Sequence, residues 1–175
     1  MADEITITID GVEVITRQGK MVLEAAIEAG VFIPYLCYHP GMKPFAACRM
    51  CVVGVEGGRG YPASCALPVQ NGMKVRSEAS DVQELRRSVM QMLIAEHPNG
   101  CLTCHRVDIC GPNDVCLRHV SVNDRCVTCP KNERCELKDT VRYLGMDLES
   151  PLEYKYRQIP LEVGDPFYDR DYNLC

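Results

Sequence analysis

The sequence predicts an α+β fold: a small mixed sheet over residues 1–79, then a helix and a cysteine-rich stretch with little periodicity of its own. Three observations predict it. Residues 4–16 alternate as a hairpin does, residues 20–29 and 81–95 carry helical periodicity, and eleven of the twelve cysteines fall within 37–65 and 101–135. At roughly 100–200 residues per domain, 175 residues make one domain or two small ones. Apolar residues make up 46% of the chain, enough for an ordinary core, so bulk disorder is excluded. Twenty-four acidic against nineteen basic side chains give a net charge of −5. With no Lys/Arg runs, that balance argues against a nucleic-acid groove or an anionic membrane surface. No segment approaches the roughly 20 apolar residues that span a bilayer. The opening MADEITITID lacks the basic and apolar regions of a signal peptide. A cytoplasmic location follows as the expectation, and in a reducing compartment clustered Cys means metal rather than disulfides.

Each element has its own signal. Ile5, Ile7 and Ile9 alternate with Thr6 and Thr8, Asp10-Gly11 supplies a turn, and Val12, Val14 and Thr16 continue on the far side. Over 20–29, Val22, Leu23, Ala26 and Ile27 share a helix face, with Gly30 as the stop. A loop bearing Cys37, Pro40, Gly41, Pro44, Cys48 and Cys51 then merges into an apolar run at Val52, Val53 and Val55. Short strands are expected around 61–65 and 73–77. Hairpin, helix, loop and further strands fit a small mixed sheet, and that it is of the ubiquitin-like β-grasp type follows in part from a family resemblance of the same residues. In 81–95, Val82, Leu85, Val89, Met92 and Leu93 follow the 3.6-residue period, and Ser80 with Gln83 makes a capping box. Residues 97–135 show almost no periodicity and are mostly Cys, Asn, Gly, Pro and charge, and bound metal would supply the order that buried apolar surface cannot. A short helix is expected at 136–144, closed by Gly145, and 146–175 reads as an extended connector.

The cysteine spacing carries the chemistry. Cys37, Cys48, Cys51 and Cys65 form C-x10-C-x2-C-x13-C. Three ligands on one loop and a fourth further along is how a 2Fe–2S cluster is held in plant-type ferredoxins, although the first gap there is four residues. A structural zinc site with four cysteines is the alternative. His97, Cys101, Cys104 and Cys110 read H-x3-C-x2-C-x5-C, and Cys116, Cys126, Cys129 and Cys135 read C-x9-C-x2-C-x5-C. One C-x2-C-x5-C unit therefore occurs twice, each time with a leading ligand, as two 4Fe–4S cubes would need. Eleven Cys and one His divide into three sets of four, leaving only Cys175. The partition has rivals. Cys116 could complete the first cube and leave His119 to lead the second, or Cys101/Cys104 could pair with Cys126/Cys129 in a zinc ribbon. His39, His105 and His119 otherwise read as surface or supporting groups. GVEGGRG at 54–60 reads as a tight turn, not a phosphate loop.

The stretches IPYLCYHPGMKPFAACRMCVV, EHPNGCLTC and CELKDTVRYLGM resemble the N-terminal part of the large iron–sulfur subunit of bacterial NADH:quinone oxidoreductase (complex I). The same modules open NAD-linked formate dehydrogenases and iron-only hydrogenases. The likeness covers roughly residues 5–145. It implies a ferredoxin-like β-grasp domain with a 2Fe–2S cluster on Cys37, Cys48, Cys51 and Cys65, and a cube begun by His97, Cys101 and Cys104. In the family a single H-x3-C-x2-C-x5-C runs directly into the CELQ-like segment. Here GPNDVCLRHVSVNDR intervenes, so the His-ligated cube closes with Cys110 or, at longer range, with Cys135. The second cube is inferred from duplication, not from the family. DPFYDRDYNLC is similar to the lead-in of a ferredoxin-type C-x2-C-x2-C beginning at Cys175.

The expected domains are therefore 1–79 (2Fe–2S, β-grasp), 80–145 (helix plus 4Fe–4S loops) and 146–175 (connector toward a further ferredoxin-type domain). The expected function is electron transfer within an NADH:quinone oxidoreductase-type complex, through one 2Fe–2S and two 4Fe–4S clusters. No catalytic residues are expected in the chain itself. The resemblance implies a flavin-containing NADH-oxidising subunit as donor and other iron–sulfur subunits as acceptors, placed at the inner face of the membrane through the complex. The alternatives are the input module of a formate dehydrogenase or hydrogenase, or a zinc-binding adaptor.

Overall fold

The computed structural model describes residues 4–95 and 134–146, together with 160, 162–164, 166 and 167. The chain divides into two compact units, 1–89 and 90–175.

The first unit is built on a hairpin. Strand β1 (Glu4–Ile9) pairs antiparallel with β2 (Val12–Arg17), Ile9 facing Val12 across the turn. Asp10 (φ 48°) and Gly11 (φ 85°) both take left-handed backbone, the condition for a two-residue turn that matches the strand twist. Period-two alternation then sorts the side chains. Ile7, Ile9, Val14 and Thr16 are buried, while Val12 and Ile15 are exposed. Val12 therefore does not continue the buried face as its spacing predicted. At the turn the strand has no cover.

Helix α1 (Val22–Glu28) follows, with Met21 as its N-cap and the Glu24 carboxylate accepting from the Met21 N–H at 2.9 Å. It buries Val22, Leu23, Ala25 and Ala26, and Gly30 (φ 71°) ends it as expected. After the cysteine loop come β3 (Gly54–Val55), a short 3₁₀ turn (Ser64–Ala66) and β4 (Lys74–Arg76). The sheet order is β2-β1-β4-β3, with β1 and β4 parallel and both outer pairs antiparallel. This is the mixed sheet the sequence predicted. The strand expected at 61–65 is replaced by a single Val52–Ala63 bridge and the 3₁₀ turn. GVEGGRG is a tight turn: the Gly58 N–H donates to the Val55 carbonyl at 3.0 Å. A Cβ on Gly54 would lie 2.9 Å from the Arg76 guanidinium.

Helix α2 (Ser80–Ala95) begins slightly earlier than a Ser80 cap allows. The Gln83 N–H donates to the Ala79 carbonyl at 3.0 Å, and the Gln83 amide donates to Glu78 at 2.9 Å, so the capping box does not form. Its buried row also differs from the predicted face. Val82, Arg86, Met90 and Ile94, four residues apart, are all 0% exposed, whereas Met92 is exposed. Among the described residues of the second unit, α3 (Glu136–Tyr143) buries Val141 and is closed by Leu144 and Gly145 (φ 59°), as expected. No helix among the described residues is long and apolar enough to cross a membrane.

Asp10 holds the hairpin to the end of β4: its Oδ1 accepts from the N–H groups of Ser77 (2.7 Å) and Glu78 (3.1 Å). Asp10→Ala strands both donors, so denaturant unfolding should show a loss of about 1–3 kcal/mol. A change below about 0.5 kcal/mol would mean that water replaces the carboxylate at no cost.

Candidate metal centre

The four cysteines of the first set come from three places in the fold. Cys37 follows α1 on a segment fixed by buried Ile33 and by the edge-on rings of Tyr35 and Tyr38, whose centroids are 5.6 Å apart. Cys48 ends the ten-residue loop. That loop turns tightly at His39, whose Nδ1 accepts from the Gly41 N–H at 3.0 Å and whose carbonyl accepts from the Met42 N–H at 3.0 Å. Cys51 opens the Val52–Ala63 bridge, and Cys65 lies in the 3₁₀ turn. Cys51 and Cys65 are each 1% exposed and belong to the same apolar cluster as Ile7, Leu23, Val53 and Val75.

Backbone conformation on the loop serves the sulfurs. Ala46 (φ 55°) and Arg49 (φ 57°) are left-handed without being glycine, a conformation costing on the order of 1 kcal/mol each. The N–H groups of Cys48 and Ala47 favour the charged form of Cys37, and those of Met50, Cys37 and Leu36 the charged form of Cys48.

The four thiols fall into two interacting couples, Cys37 with Cys48 and Cys51 with Cys65. Burial and the hydrogen bond to Cys48 hold Cys37 above the ordinary thiol range. Burial pushes Cys48 up as well, but the N–H groups of Met50, Cys37 and Leu36 and the Cys37 thiol outweigh it and leave Cys48 below that range. Cys65 is pushed up to about 12 by burial, by the hydrogen bond to Cys51 and by the fields of Cys51, Cys37 and Cys48. All four sulfurs therefore feel one another. Among the described residues no three ligating side chains converge on a single ion position. A two-iron cluster divides its four protein ligands two and two, whereas zinc draws all four round one ion. The paired thiols fit the two-iron group. Ser64, buried beside Cys65, adds a hydroxyl with no hydrogen-bond partner among the described residues, a donor that a sulfur acceptor would satisfy.

With that geometry established, comparison with known proteins is direct. Residues 2–80 match the family model described as a 2Fe-2S iron-sulfur cluster binding domain. Over 115 residues the chain is 39% identical to an NADH-quinone oxidoreductase subunit of Rickettsia typhi, matching 66% of this chain and 17% of that protein. It is 38% identical over 122 residues to the mitochondrial NADH-ubiquinone oxidoreductase 78 kDa subunit of Candida albicans, matching 70% of this chain and again 17% of the relative. The chain thus spans about a sixth of the length of these relatives. Among solved structures, the crystal structure of an NAD+-reducing [NiFe]-hydrogenase in the H2-reduced state shares a TM-score of 0.70 and 31% identity, covering 98% of this chain and 61% of that one.

Of the second and third ligand sets, His97, Cys101, Cys104, Cys110, Cys116, Cys126 and Cys129 lie outside the described residues, as do His105, His119 and Cys175. Cys135 is described: it caps α3, and its half-buried sulfur accepts from the Lys138 N–H at 3.5 Å. Sequence reading overlooked Arg86, Ser77 and Ser64. The signal for Arg86 was there, an arginine interrupting the row Val82, Met90 and Ile94.

In metal-free, reduced protein, alkylation at mildly alkaline pH followed by mass spectrometry should label Cys48 before Cys37, with Cys65 last. Cys48 ionises at the lowest pH of the three and Cys65 at the highest. Labelling of Cys65 ahead of Cys48 would contradict the donor pattern.

Proposed function

We propose that this chain is an iron–sulfur electron relay of an NADH:quinone oxidoreductase-type complex. In this reading one iron of a 2Fe–2S centre is held by Cys37 and Cys48 and the other by Cys51 and Cys65. Two 4Fe–4S centres follow, on His97, Cys101, Cys104 and Cys110, and on Cys116, Cys126, Cys129 and Cys135. The observation that carries it is that Cys51 and Cys65 lie in the core, within reach of the fields of Cys37 and Cys48, in a segment that matches the 2Fe–2S cluster binding domain. The clusters supply one-electron transfer, and the protein provides ligands, dryness and hydrogen bonds to sulfur. Neutral His97 in place of a thiolate removes one negative charge and raises the potential of its cube. The domain limits proposed are 1–79, 80–145 and a connector at 146–175.

The relatives' names support a place among the subunits of such a complex. A flavin-containing NADH-oxidising subunit would then be the donor, further iron–sulfur subunits the acceptors, and the location peripheral to the membrane through the complex. A second reading, the input module of an NAD-linked hydrogenase, is favoured by the likeness to the NAD+-reducing [NiFe]-hydrogenase over 98% of the chain. Deleting the gene separates the two. Loss of NADH:quinone activity supports the first, and loss of hydrogen-dependent NAD+ reduction the second.

Iron, acid-labile sulfide and zinc per chain on protein purified without oxygen test the cluster assignment. About ten irons with ten sulfides and no zinc are expected. About six irons with one zinc would give the inserted cysteines a structural role, and zinc without iron would sink the relay. Cys126→Ser should remove one cube's iron and leave the 2Fe–2S signal intact. His97→Cys should lower the potential of one cube without abolishing it, and an unchanged potential would count against His97 as a ligand.

A further inference from the structure

Helix α2 carries a cation on its buried row. Arg86 is 0% exposed, between Val82 and Met90, and its guanidinium is forked over two segments of the first unit. Nη2 donates to the Val52 carbonyl at 2.7 Å and to the Ser77 hydroxyl at 2.8 Å, and Nη1 donates to the Ser77 carbonyl at 3.0 Å. Ser77 is itself anchored, its N–H donating to Asp10 at 2.7 Å.

The Val52 carbonyl is the informative partner. Val52 directly follows Cys51 and forms the antiparallel bridge with Ala63. Successive carbonyls of an extended strand point to opposite sides. The Cys51 carbonyl accepts from the Ser64 N–H at 2.9 Å, and the Val53 N–H donates to the Pro62 carbonyl at 3.0 Å. Those two bonds close the ladder, and the Val52 carbonyl is turned away from it. Val52 is 3% exposed, so that carbonyl needs a donor other than bulk water. Arg86 supplies one, through a charged hydrogen bond, roughly twice as strong as a neutral one. The ladder so fixed has Cys51 on one strand and Cys65 just beyond Ser64 on the other.

We propose that Arg86 is a positioning residue of the 2Fe–2S centre: by tying the Val52 carbonyl to Ser77 it holds the Cys51 and Cys65 sulfurs in register as a pair. A purely structural arginine would change the stability of the fold and leave the cluster's signature alone. The proposal rests on the 2Fe–2S reading of the four cysteines.

The test uses the full chain with clusters loaded. Arg86→Met keeps length and removes every donor, and Arg86→Lys keeps a charged donor for the Val52 carbonyl. The readouts are the electron paramagnetic resonance line shape of the reduced 2Fe–2S centre and the rate of iron loss to a chelator, with thermal unfolding in parallel. Arg86→Met should alter the line shape and release iron roughly tenfold faster, the scale of one buried acceptor left unsatisfied. Arg86→Lys should return both toward the parent. A Met variant with the parent's line shape and iron-loss rate, whatever its Tm, overturns the proposal. Should Arg86→Met fail to fold, Ser77→Ala decides. It removes one anchor of the fork, and an altered line shape supports the proposal while an unaltered one overturns it. Variants that match a parent showing the 2Fe–2S signal sink the positioning role alone. A parent without that signal sinks the site reading and the proposal with it.

Discussion

A thiolate loses far more hydration on burial than an apolar core returns, so a fold that buries cysteine sulfur beside cysteine sulfur has to compensate for it. Cys51 and Cys65, each 1% exposed among Ile7, Leu23, Val53 and Val75, impose that constraint here. Burial and the neighbouring sulfurs hold the Cys65 thiol up near 12. Ionised together they would repel. In the proposed 2Fe–2S reading, cationic iron would resolve the conflict, and the remaining features of residues 4–79 would present it with four sulfurs. The apolar cluster excludes water, backbone N–H groups favour the charged forms of Cys37 and Cys48, and the Val52–Ala63 bridge joins the strands that carry Cys51 and Cys65.

The sheet's role is to make that geometry stiff. Parallel pairing of β1 with β4 and the Asp10 carboxylate on Ser77 bring the end of β4 beside the hairpin turn. Arg86 then links Ser77 to Val52. A continuous path of backbone and charged hydrogen bonds thus runs from the first turn of the chain to the ladder that carries the buried pair. Over the same region the surface is bound more loosely. Lys74–Glu56 and Arg76–Asp81 are exposed ion pairs of the kind that contributes little.

Much of this was legible in the sequence, for physical reasons that differ by element. Ile5, Ile7 and Ile9 with Asp10-Gly11 specify a hairpin because strand period and turn conformation are local. The four cysteines stand out in the sequence by their number and their x2 step, which a two-iron cluster would need whatever the fold around it. The strand expected at 61–65 was not, since a two-residue contact followed by a 3₁₀ turn leaves no period to read. The buried face of α2 was missed because an arginine occupies it: periodicity counts Arg86 as polar, while the structure commits its charge to carbonyls. The Ser80 box failed for a similar reason, with the Ala79 carbonyl taking the first helical bond in its place. Of the second and third ligand sets, only Cys135 lies among the described residues, where its sulfur caps α3.

If four thiolates hold two irons as a pair of pairs, Mössbauer spectroscopy of iron-57-enriched protein, oxidised and then reduced stepwise, will show it. The oxidised 2Fe–2S component should consist of two ferric sites in tetrahedral sulfur, and one-electron reduction should convert a single site to ferrous while the other stays ferric. A spectrum containing only mixed-valence cube iron, with no pair of localised ferric and ferrous sites, would contradict that arrangement.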